Sequence, residues 1–310
     1  MTRIGMAAVG VWMALAAGGL TAAEIRPEAV RIARSEASQA EVFALRDTEM
    51  TVKPSELLLD ITPEELARLV PGDEVQLSVT VFLVKWNGQN ILVDAGVGQA
   101  QGGVMIESLA LAGVKPEEVN AVLVSHLHFD HVGGLAHEGR AIFPNATIYL
   151  TKAELDTWTT EEGMAKLPDA QQPRAEMAGK ALAPYLGRIA AMEMEKEYSV
   201  YSGEGWFAGL TSGHTPGHAV YTFGYFTENQ TAIVFIGDIA HIAEVQTPRP
   251  RTTIVFDVEP DAARFAREKL FETLAARGML LAGPHFPFPS AGTLEKEGDG
   301  YRFKPVEPAP

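Results

Sequence analysis

Residues 125–134 read Ser-His-Leu-His-Phe-Asp-His-Val-Gly-Gly and place four side chains that can ligate a metal within six positions: His126, His128, Asp130 and His131. The apolar run 121–124 precedes them and predicts a short buried strand. Alternate side chains of an extended segment share one side, so the chain must turn to aim His131 inward, and the two glycines that follow permit a turn. Imidazole and carboxylate donors suit zinc, with manganese, iron or cobalt as substitutes.

The composition limits the classes of function that the chain can have. Its 310 residues are 46% hydrophobic, which is enough for a substantial core. Acidic residues outnumber basic ones by 40 to 25, for a formal net charge of -15. Because phosphate binding requires a basic surface, we expect no nucleic-acid partner. The chain has no cysteine, which excludes disulfides, thiolate ligands and a cysteine nucleophile.

The first 23 residues predict an export signal. Arg3 is the only charged residue before an uncharged run, 4–23, that is rich in Ala, Gly, Val and Leu. Small residues at 21–23 offer a cleavage site after Ala23. The run is also long enough to span a membrane, so retention as an anchor is the alternative. We expect cleavage and a secreted or periplasmic mature protein with no stable membrane association.

Strands alternate with helices along the rest of the chain, which predicts α/β layers. Residues 24–45 are charged and Ala-rich and predict a helical or loose segment. Asn87-Gly88 predicts a hairpin, and Thr62 and Thr151 have the positions of helix caps. Strands are predicted at 42–52, 75–85, 89–94, 121–124, 147–150, 206–210, 219–225, 231–238 and 279–282, and the longest helix at 261–277. The apolar side of that helix is predicted to include Phe265 and Phe271.

Residues 159–200 differ in composition from their surroundings. They are rich in Ala, Met and Glu, and three prolines interrupt them. The pattern predicts a helical insertion that caps the site. The alternative is a surface helical pair with no role in substrate binding.

Further candidate ligands follow apolar strands or lie in tight loops. His214 and His218 lie in the run 213–218, Gly-His-Thr-Pro-Gly-His, while Asp238 and His285 each end a predicted strand. Each of them alone is unremarkable. Because all occupy the same kind of position, we expect them to meet at one edge of a layered sheet structure.

Together these motifs resemble the metallo-β-lactamase-fold hydrolase superfamily. The resemblance rests on the His-x-His-x-Asp-His loop, on residues 93–96 around Asp94, on the 213–218 turn, on Gly237-Asp238 and on His285, in the superfamily's order. Within it, the chain is most similar to methyl parathion hydrolase-like proteins and to acyl-homoserine-lactone lactonases. The resemblance implies a single domain over residues 24–310 with a four-layer αββα sandwich of the α/β class and metals at one edge of the two sheets.

The resemblance also implies a role for each residue of the motifs. His126, His128 and His214 would hold one metal ion, and Asp130, His131 and His285 a second. Asp238 would bridge both ions, while Asp94 and His218 would support the ligands from behind.

Two divalent ions, most simply zinc, would lie roughly 3.5–4 Å apart and hold a bridging hydroxide that attacks a carbonyl carbon or phosphorus. Asp130 would accept its proton or orient it. No protein nucleophile is needed, in agreement with the absence of cysteine.

The substrate is less strongly indicated. Lactonases of the superfamily have a tyrosine three residues after the bridging aspartate, where this chain has His241. A histidine there can donate a hydrogen bond to substrate; the alternative is a supporting or solvent-facing histidine. Phe129, Trp158 and Phe286 are candidates for an apolar pocket, with ordinary core as the alternative.

An acidic protein with an apolar pocket suits small apolar esters, lactones or organophosphate triesters. A second hypothesis is a glutathione-thioester hydrolase of the glyoxalase II kind, which would need a basic site; Arg249 with Arg251 is the compact candidate. A third is a non-catalytic metal-binding protein of the same fold. The expected partner is a small-molecule substrate, and a homodimer is possible.

Overall fold

The computed structural model describes residues 25–35, 40–168, 171–194, 200–203, 205–224 and 232–307. The predicted export signal, residues 1–23, lies outside them. No helix within these ranges is long and apolar enough to cross a membrane.

The strands of the described residues form two seven-stranded sheets and a short two-stranded ribbon. The first sheet contains β1 (Ala29–Ser35), β2 (Ala40–Val52), β3 (Val75–Trp86), β4 (Gln89–Val93), β5 (Ala121–Leu123), β8 (Thr147–Thr151) and β9 (Ile189–Met192), side by side in that order, and the ribbon pairs β6 (Ala136–His137) with β7 (Arg140–Ala141). The second sheet contains β10 (Val200–Ser202), β11 (Trp206–Leu210), β12 (Ala219–Phe223), β13 (Ile233–Phe235), β14 (Leu280–Ala282), β15 (Ala291–Glu297) and β16 (Gly300–Pro305). In the first sheet β4, β5, β8 and β9 run parallel, and in the second sheet β13 and β14 do.

The helices are α1 (Pro54–Leu57), α2 (Pro63–Leu69), α3 (Met105–Leu111), α4 (Phe129–Val132), α5 (Lys152–Thr159), α6 (Glu161–Met164), α7 (Gln172–Leu182), α8 (Ala243–Gln246) and α9 (Pro260–Arg277). Helices cover the outer faces of both sheets, α3, α5 and α7 on the first and α9 on the second. The caps predicted at Thr62 and Thr151 are confirmed, since both hydroxyls accept the backbone N–H three residues on. Gly278, in the left-handed conformation, ends α9.

Apolar side chains fill the spaces between four layers. One cluster lies between the first sheet and α3, α5 and α7, and includes Leu109 and Trp158. A second lies between the sheets, where the rings of Phe82 and Phe235 are 5.2 Å apart. A third packs the second sheet against α9 through Phe271. The fold is therefore an α/β sandwich of αββα type, as predicted.

Two segments differ from the sequence prediction. Residues 24–45 were expected to be helical or loose, but most of them belong to β1 and β2, which pair with each other and extend the first sheet. Pairing to β3 overrides the local helical preference of the Ala-rich segment. The insertion 159–200 is only partly helical, because β9 lies within it and adds a parallel strand beside β8.

The buried face of α9 also differs from the prediction. Phe265, expected on the apolar side, is 51% exposed, whereas Arg267 is fully buried. The guanidinium of Arg267 donates hydrogen bonds to the carbonyls of Ile239, Pro250 and Thr252. Because these acceptors compensate the loss of hydration, α9 can bury a cation and thereby hold the segment that follows Asp238.

Candidate metal centre

The candidate ligands lie where strands of both sheets end. The loop after β5 carries His126 and His128, and the turn after β13, Gly237–Ile239, carries Asp238. His285 follows β14, and His214 lies in the loop between β11 and β12. Because the carboxyl ends of neighbouring parallel strands meet at one edge of a sheet, ligands from distant parts of the chain converge there.

The chain turns earlier in the 125–134 loop than the sequence predicted, before Asp130 instead of at His131. The one-turn helix α4 begins directly after His128, so Asp130 and His131 lie on a helical turn. Glycine is needed at positions 133 and 134 because the backbone of residues 95–97 leaves no room for a side chain. A Cβ at Gly133 would lie 2.4 Å from the carbonyl oxygen of Val97, and one at Gly134 would lie 2.0 Å from that of Ala95. The loop is thus packed directly against the segment that follows β4.

The side chains form two groups that share one carboxylate. The first group is His126, His128, His214 and Asp238, and the second is Asp130, His131 and His285; within each group the potential ligand atoms lie within 4.8 Å of one another. Asp238 Oδ2 is 3.0 Å from His214 Nε2 and 3.5 Å from His126 Nε2. Its Oδ1 is 3.1 Å from both His131 Nε2 and His285 Nε2. Asp238 therefore presents one oxygen to each group, the position implied for a bridging ligand.

The donor atoms at this centre fit metal ions. Five buried atoms of the candidate ligands have no hydrogen-bond partner among the described residues: His126 Nε2, Asp130 Oδ2, His131 Nε2, Asp238 Oδ1 and His285 Nε2. Leaving so many buried polar atoms unpaired is costly in a folded protein. A pair of divalent cations would satisfy all five at once, and a donor set of histidine and aspartate without cysteine suits zinc, manganese, iron or cobalt.

The charges of the site favour the same conclusion. Burial lowers the pKa of His126 and His128 well below the usual value, which keeps these imidazoles neutral and able to donate a lone pair. Burial opposes ionisation of Asp238, but His131 and His285 hold its pKa well below the usual range. Burial also lowers the pKa of His285, yet Asp238 and Asp130 raise it to about 10. The carboxylates therefore attract positive charge to the centre.

Asp94 and His218 lie behind the ligands. Asp94 accepts hydrogen bonds from the backbone N–H and the hydroxyl of Ser125, and its Oδ2 is 2.8 Å from His131 Nδ1. Burial lowers the pKa of His218 to about 3, so its ring is neutral. His218 Nε2 accepts the backbone N–H of Asp238 at 3.0 Å, and its Nδ1 is 2.9 Å from Thr211 Oγ1. Both residues fix the orientation of a candidate ligand.

Two further supporting contacts had no signal in the sequence. His214 Nδ1 is 3.0 Å from Asp257 Oδ1, and His285 Nδ1 donates to the backbone carbonyl of Ser78 at 2.8 Å. The partners are 43 and 207 residues away from their histidines along the chain. Only the folded arrangement brings them together.

Glu154 connects the two loops that carry the histidines. Its side chain is fully buried, and burial raises its pKa. One oxygen accepts the backbone N–H of Leu127, between His126 and His128, at 2.8 Å. The other accepts the hydroxyl of Thr215 at 2.7 Å and the backbone N–H of Gly217 at 3.0 Å. In the sequence, the one signal at Glu154 is its position three residues after the cap Thr151, the spacing of a capping box.

We expect Glu154→Gln to weaken metal binding by about tenfold, the lower end of the range for outer contacts of a metal site. A glutamine has a single acceptor oxygen, so either Leu127 or the Thr215–Gly217 turn loses its partner. Competition with a fluorescent zinc chelator measures the change. Glu161→Gln, at an exposed position of α6, is the matched control. Unchanged zinc affinity of Glu154→Gln would show that the loops hold their positions without this carboxylate.

The predicted pocket residues have mixed outcomes. His241 is buried, and its Nε2 lies 3.0 Å from Asp238 Oδ2, so the solvent-facing alternative is wrong. Phe129 is partly buried at the metal loop. Trp158 is fully buried behind His128, with ring centroids 5.4 Å apart, and therefore does not line an open pocket.

Phe286 is also fully buried and packs on Phe303 in the core beneath α9. Its assignment to the pocket was wrong, because an apolar residue next to a ligand can equally serve the core.

Comparison with known proteins agrees with the observed fold. The model of the metallo-beta-lactamase superfamily matches residues 75–300. In structure, the chain is similar to AbOPH, a hydrolase in the beta lactamase superfamily, with a TM-score of 0.80 and 32% identity over 91% of this chain and 99% of that one. It shares the fold of AidC, a dizinc quorum-quenching lactonase, with a TM-score of 0.77 and 23% identity over 91% of this chain and 98% of the other.

Among curated sequences, the chain is similar to an N-acyl homoserine lactonase of Bacillus cereus. The two are 28% identical over 172 residues, which correspond to 48% of this chain and 60% of the lactonase. The match therefore spans little more than half the length of that relative.

Proposed function

Given the match over residues 75–300, the chain belongs to the metallo-beta-lactamase superfamily, and we propose that it is a dinuclear hydrolase of small apolar esters, lactones or organophosphate triesters. The observation that carries the proposal is the position of Asp238, whose two oxygens face two separate groups of potential ligands. A carboxylate so placed suits a two-metal centre.

Two zinc ions are the proposed cofactor, with manganese, iron or cobalt as substitutes. His126, His128 and His214 would hold one ion, Asp130, His131 and His285 the other, and Asp238 both. When bound, such a pair lowers the pKa of water and stabilises negative charge on the reacting group. The similarity in fold to the dizinc lactonase AidC supports this choice of metal.

The chain's own residues supply orientation around the reacting group. Asp130 Oδ2 is buried without a hydrogen-bond partner among the described residues, and we assign it to the attacking water, as proton acceptor or orienting group. His241 lies beside Asp238 and is the proposed hydrogen-bond donor to the substrate's oxygen. His218 and Asp94 keep the neighbouring groups in place.

The similarity to an N-acyl homoserine lactonase supports cleavage of a carboxylic ester or lactone. The described residues give less support to glutathione-thioester hydrolysis. Arg249 pairs with Glu65, and Arg251 with Glu268 at 3.0 Å, so these two cations already have carboxylate partners. Export also remains a proposal, which rests on the sequence of residues 1–23.

A substrate panel tests the proposed function. We expect the protein loaded with zinc or manganese to contain close to two ions per chain and to hydrolyse at least one of an aryl ester, an acyl homoserine lactone and an aryl phosphotriester. A glutathione thioester is the fourth substrate, and turnover of that substrate alone would favour the alternative. If the protein carries two ions and hydrolyses none of the four, the assignment as a hydrolase is wrong.

A further inference from the structure

Arg174 is a partly buried cation at the opening of the metal centre. It lies on α7, within the insertion at residues 159–200. His128 and Asp130 are each 6% exposed, more than any other candidate ligand, and therefore mark the opening of the centre. Arg174 Nη1 is 3.3 Å from His128 Nε2 on this side. Its guanidinium carbon is 5.7 Å from the ring centroid of Phe256, which in turn contacts His241.

The guanidinium has only uncharged partners in the part of the chain that the structure describes. Nη1 donates to the amide oxygen of Gln171 at 2.7 Å, and the other close contacts are His128 and the ring of Phe256. No carboxylate of the described residues forms an ion pair with it, although Asp130 acts on it at longer range. By contrast, Lys180 on the same helix pairs with Glu176 at 2.6 Å. A cation in this setting retains unused capacity to bind an anion.

Occupancy of the metal centre would increase that capacity. His128 Nδ1 faces inward, 3.0 Å from His214 Nε2, and is the nitrogen placed to ligate a metal. The outward Nε2 of a ligating neutral imidazole carries the ring proton. An N–H cannot accept a hydrogen bond from a guanidinium, so Arg174 would lose this partner while keeping Gln171. Most of its five N–H groups would then be available to a ligand in the opening.

We propose that Arg174 is the anion-binding residue of this site and holds the carboxylate that hydrolysis of an ester or lactone releases. The inference rests on the proposed function and specifies the product that the opening receives. The planar fork of a guanidinium matches the two oxygens of a carboxylate. Because the net charge of the protein is -15, its overall field repels anions, and a cation beside the metal centre favours the binding of one there.

Calorimetric titration of hexanoate into the zinc-loaded full chain tests this role without relying on turnover. We expect Arg174→Gln to weaken hexanoate binding by at least about tenfold, the effect of losing a hydrogen bond to a charged group. Arg174→Lys should be intermediate, since it keeps the charge but loses the fork. Lys180→Gln on the same helix is the matched control and should bind as the wild type does. A parallel titration with diethyl phosphate distinguishes a carboxylate product from a phosphodiester product.

The proposal is overturned if Arg174→Gln binds hexanoate as tightly as the wild type at equal zinc content, or if the wild type binds no hexanoate. If only diethyl phosphate binding depends on Arg174, the assignment to a carboxylate is wrong. Should Arg174→Gln fail to fold, Arg174→Lys takes its place, and hexanoate binding equal to the wild type contradicts the proposal. Because binding is measured separately from turnover, a protein that hydrolyses nothing yet binds hexanoate through Arg174 refutes the proposed function alone.

Discussion

Replacing Asp238 with alanine is expected to abolish hydrolysis and to remove at least one metal ion per chain. Its Oδ2 faces His214 and His126, and its Oδ1 faces His131 and His285, so no other described side chain serves both groups of ligands. Loss of one preorganised donor already costs about 10²–10³ in turnover. Loss of the shared carboxylate should exceed that, because it disturbs the whole centre.

Elemental analysis of the purified variant and turnover of the best substrate measure the two effects. Asp261→Ala is the matched control, because the side chain of Asp261 is 96% exposed and its ion-pair partner is Arg264, not a candidate ligand. Thermal unfolding of the metal-free proteins separates folding from function. A variant that keeps two ions and wild-type turnover would refute the bridging role of Asp238 and, with it, the two-metal centre.

The position of the site was predictable because its strongest signal is local. His126, His128, Asp130 and His131 lie within six residues after an apolar run, and that spacing alone predicts a metal loop. Asp238 and His285 were identified by a similar logic, since each follows a short buried strand. Strand ends meet at sheet edges, so a linear pattern of strand and ligand translates into a common location.

The supporting residues were not predictable, because their roles depend on long-range packing. Glu154 has the spacing of a capping box, yet its carboxylate bonds to Leu127 and Gly217 in two distant loops. Arg174 lies in a segment whose sequence indicates only an interrupted helix, and its place beside His128 follows from the docking of α7. The strands β1 and β2 illustrate the same limit, since pairing across the sheet decided their conformation.

Replacing His241 with phenylalanine is expected to reduce turnover by about 10²-fold while leaving the metal content unchanged. His241 Nε2 lies 3.0 Å from Asp238 Oδ2, and its ring stacks on that of His285 at 5.1 Å and 8°. Phenylalanine preserves the stacking and the volume but removes the N–H donor. Loss of a donor aimed at charge that develops in the transition state costs about 10²–10³-fold. The effect should therefore fall on turnover and not on folding.

The same geometry would also allow His241 to ligate a metal ion, and the metal content of the variant decides between a ligand and a hydrogen-bond donor to the substrate. Asp238, His241 and His285 also form a group that could ligate an ion. If His241 is a ligand, His241→Phe loses metal together with activity. If it is a donor to the substrate, the metal stays and His241→Gln, which retains an N–H donor, recovers part of the turnover. His137→Phe, at an exposed position of β6, is the matched control. Unchanged kinetics of His241→Phe would exclude both roles and leave His241 as a packing residue beside Asp238.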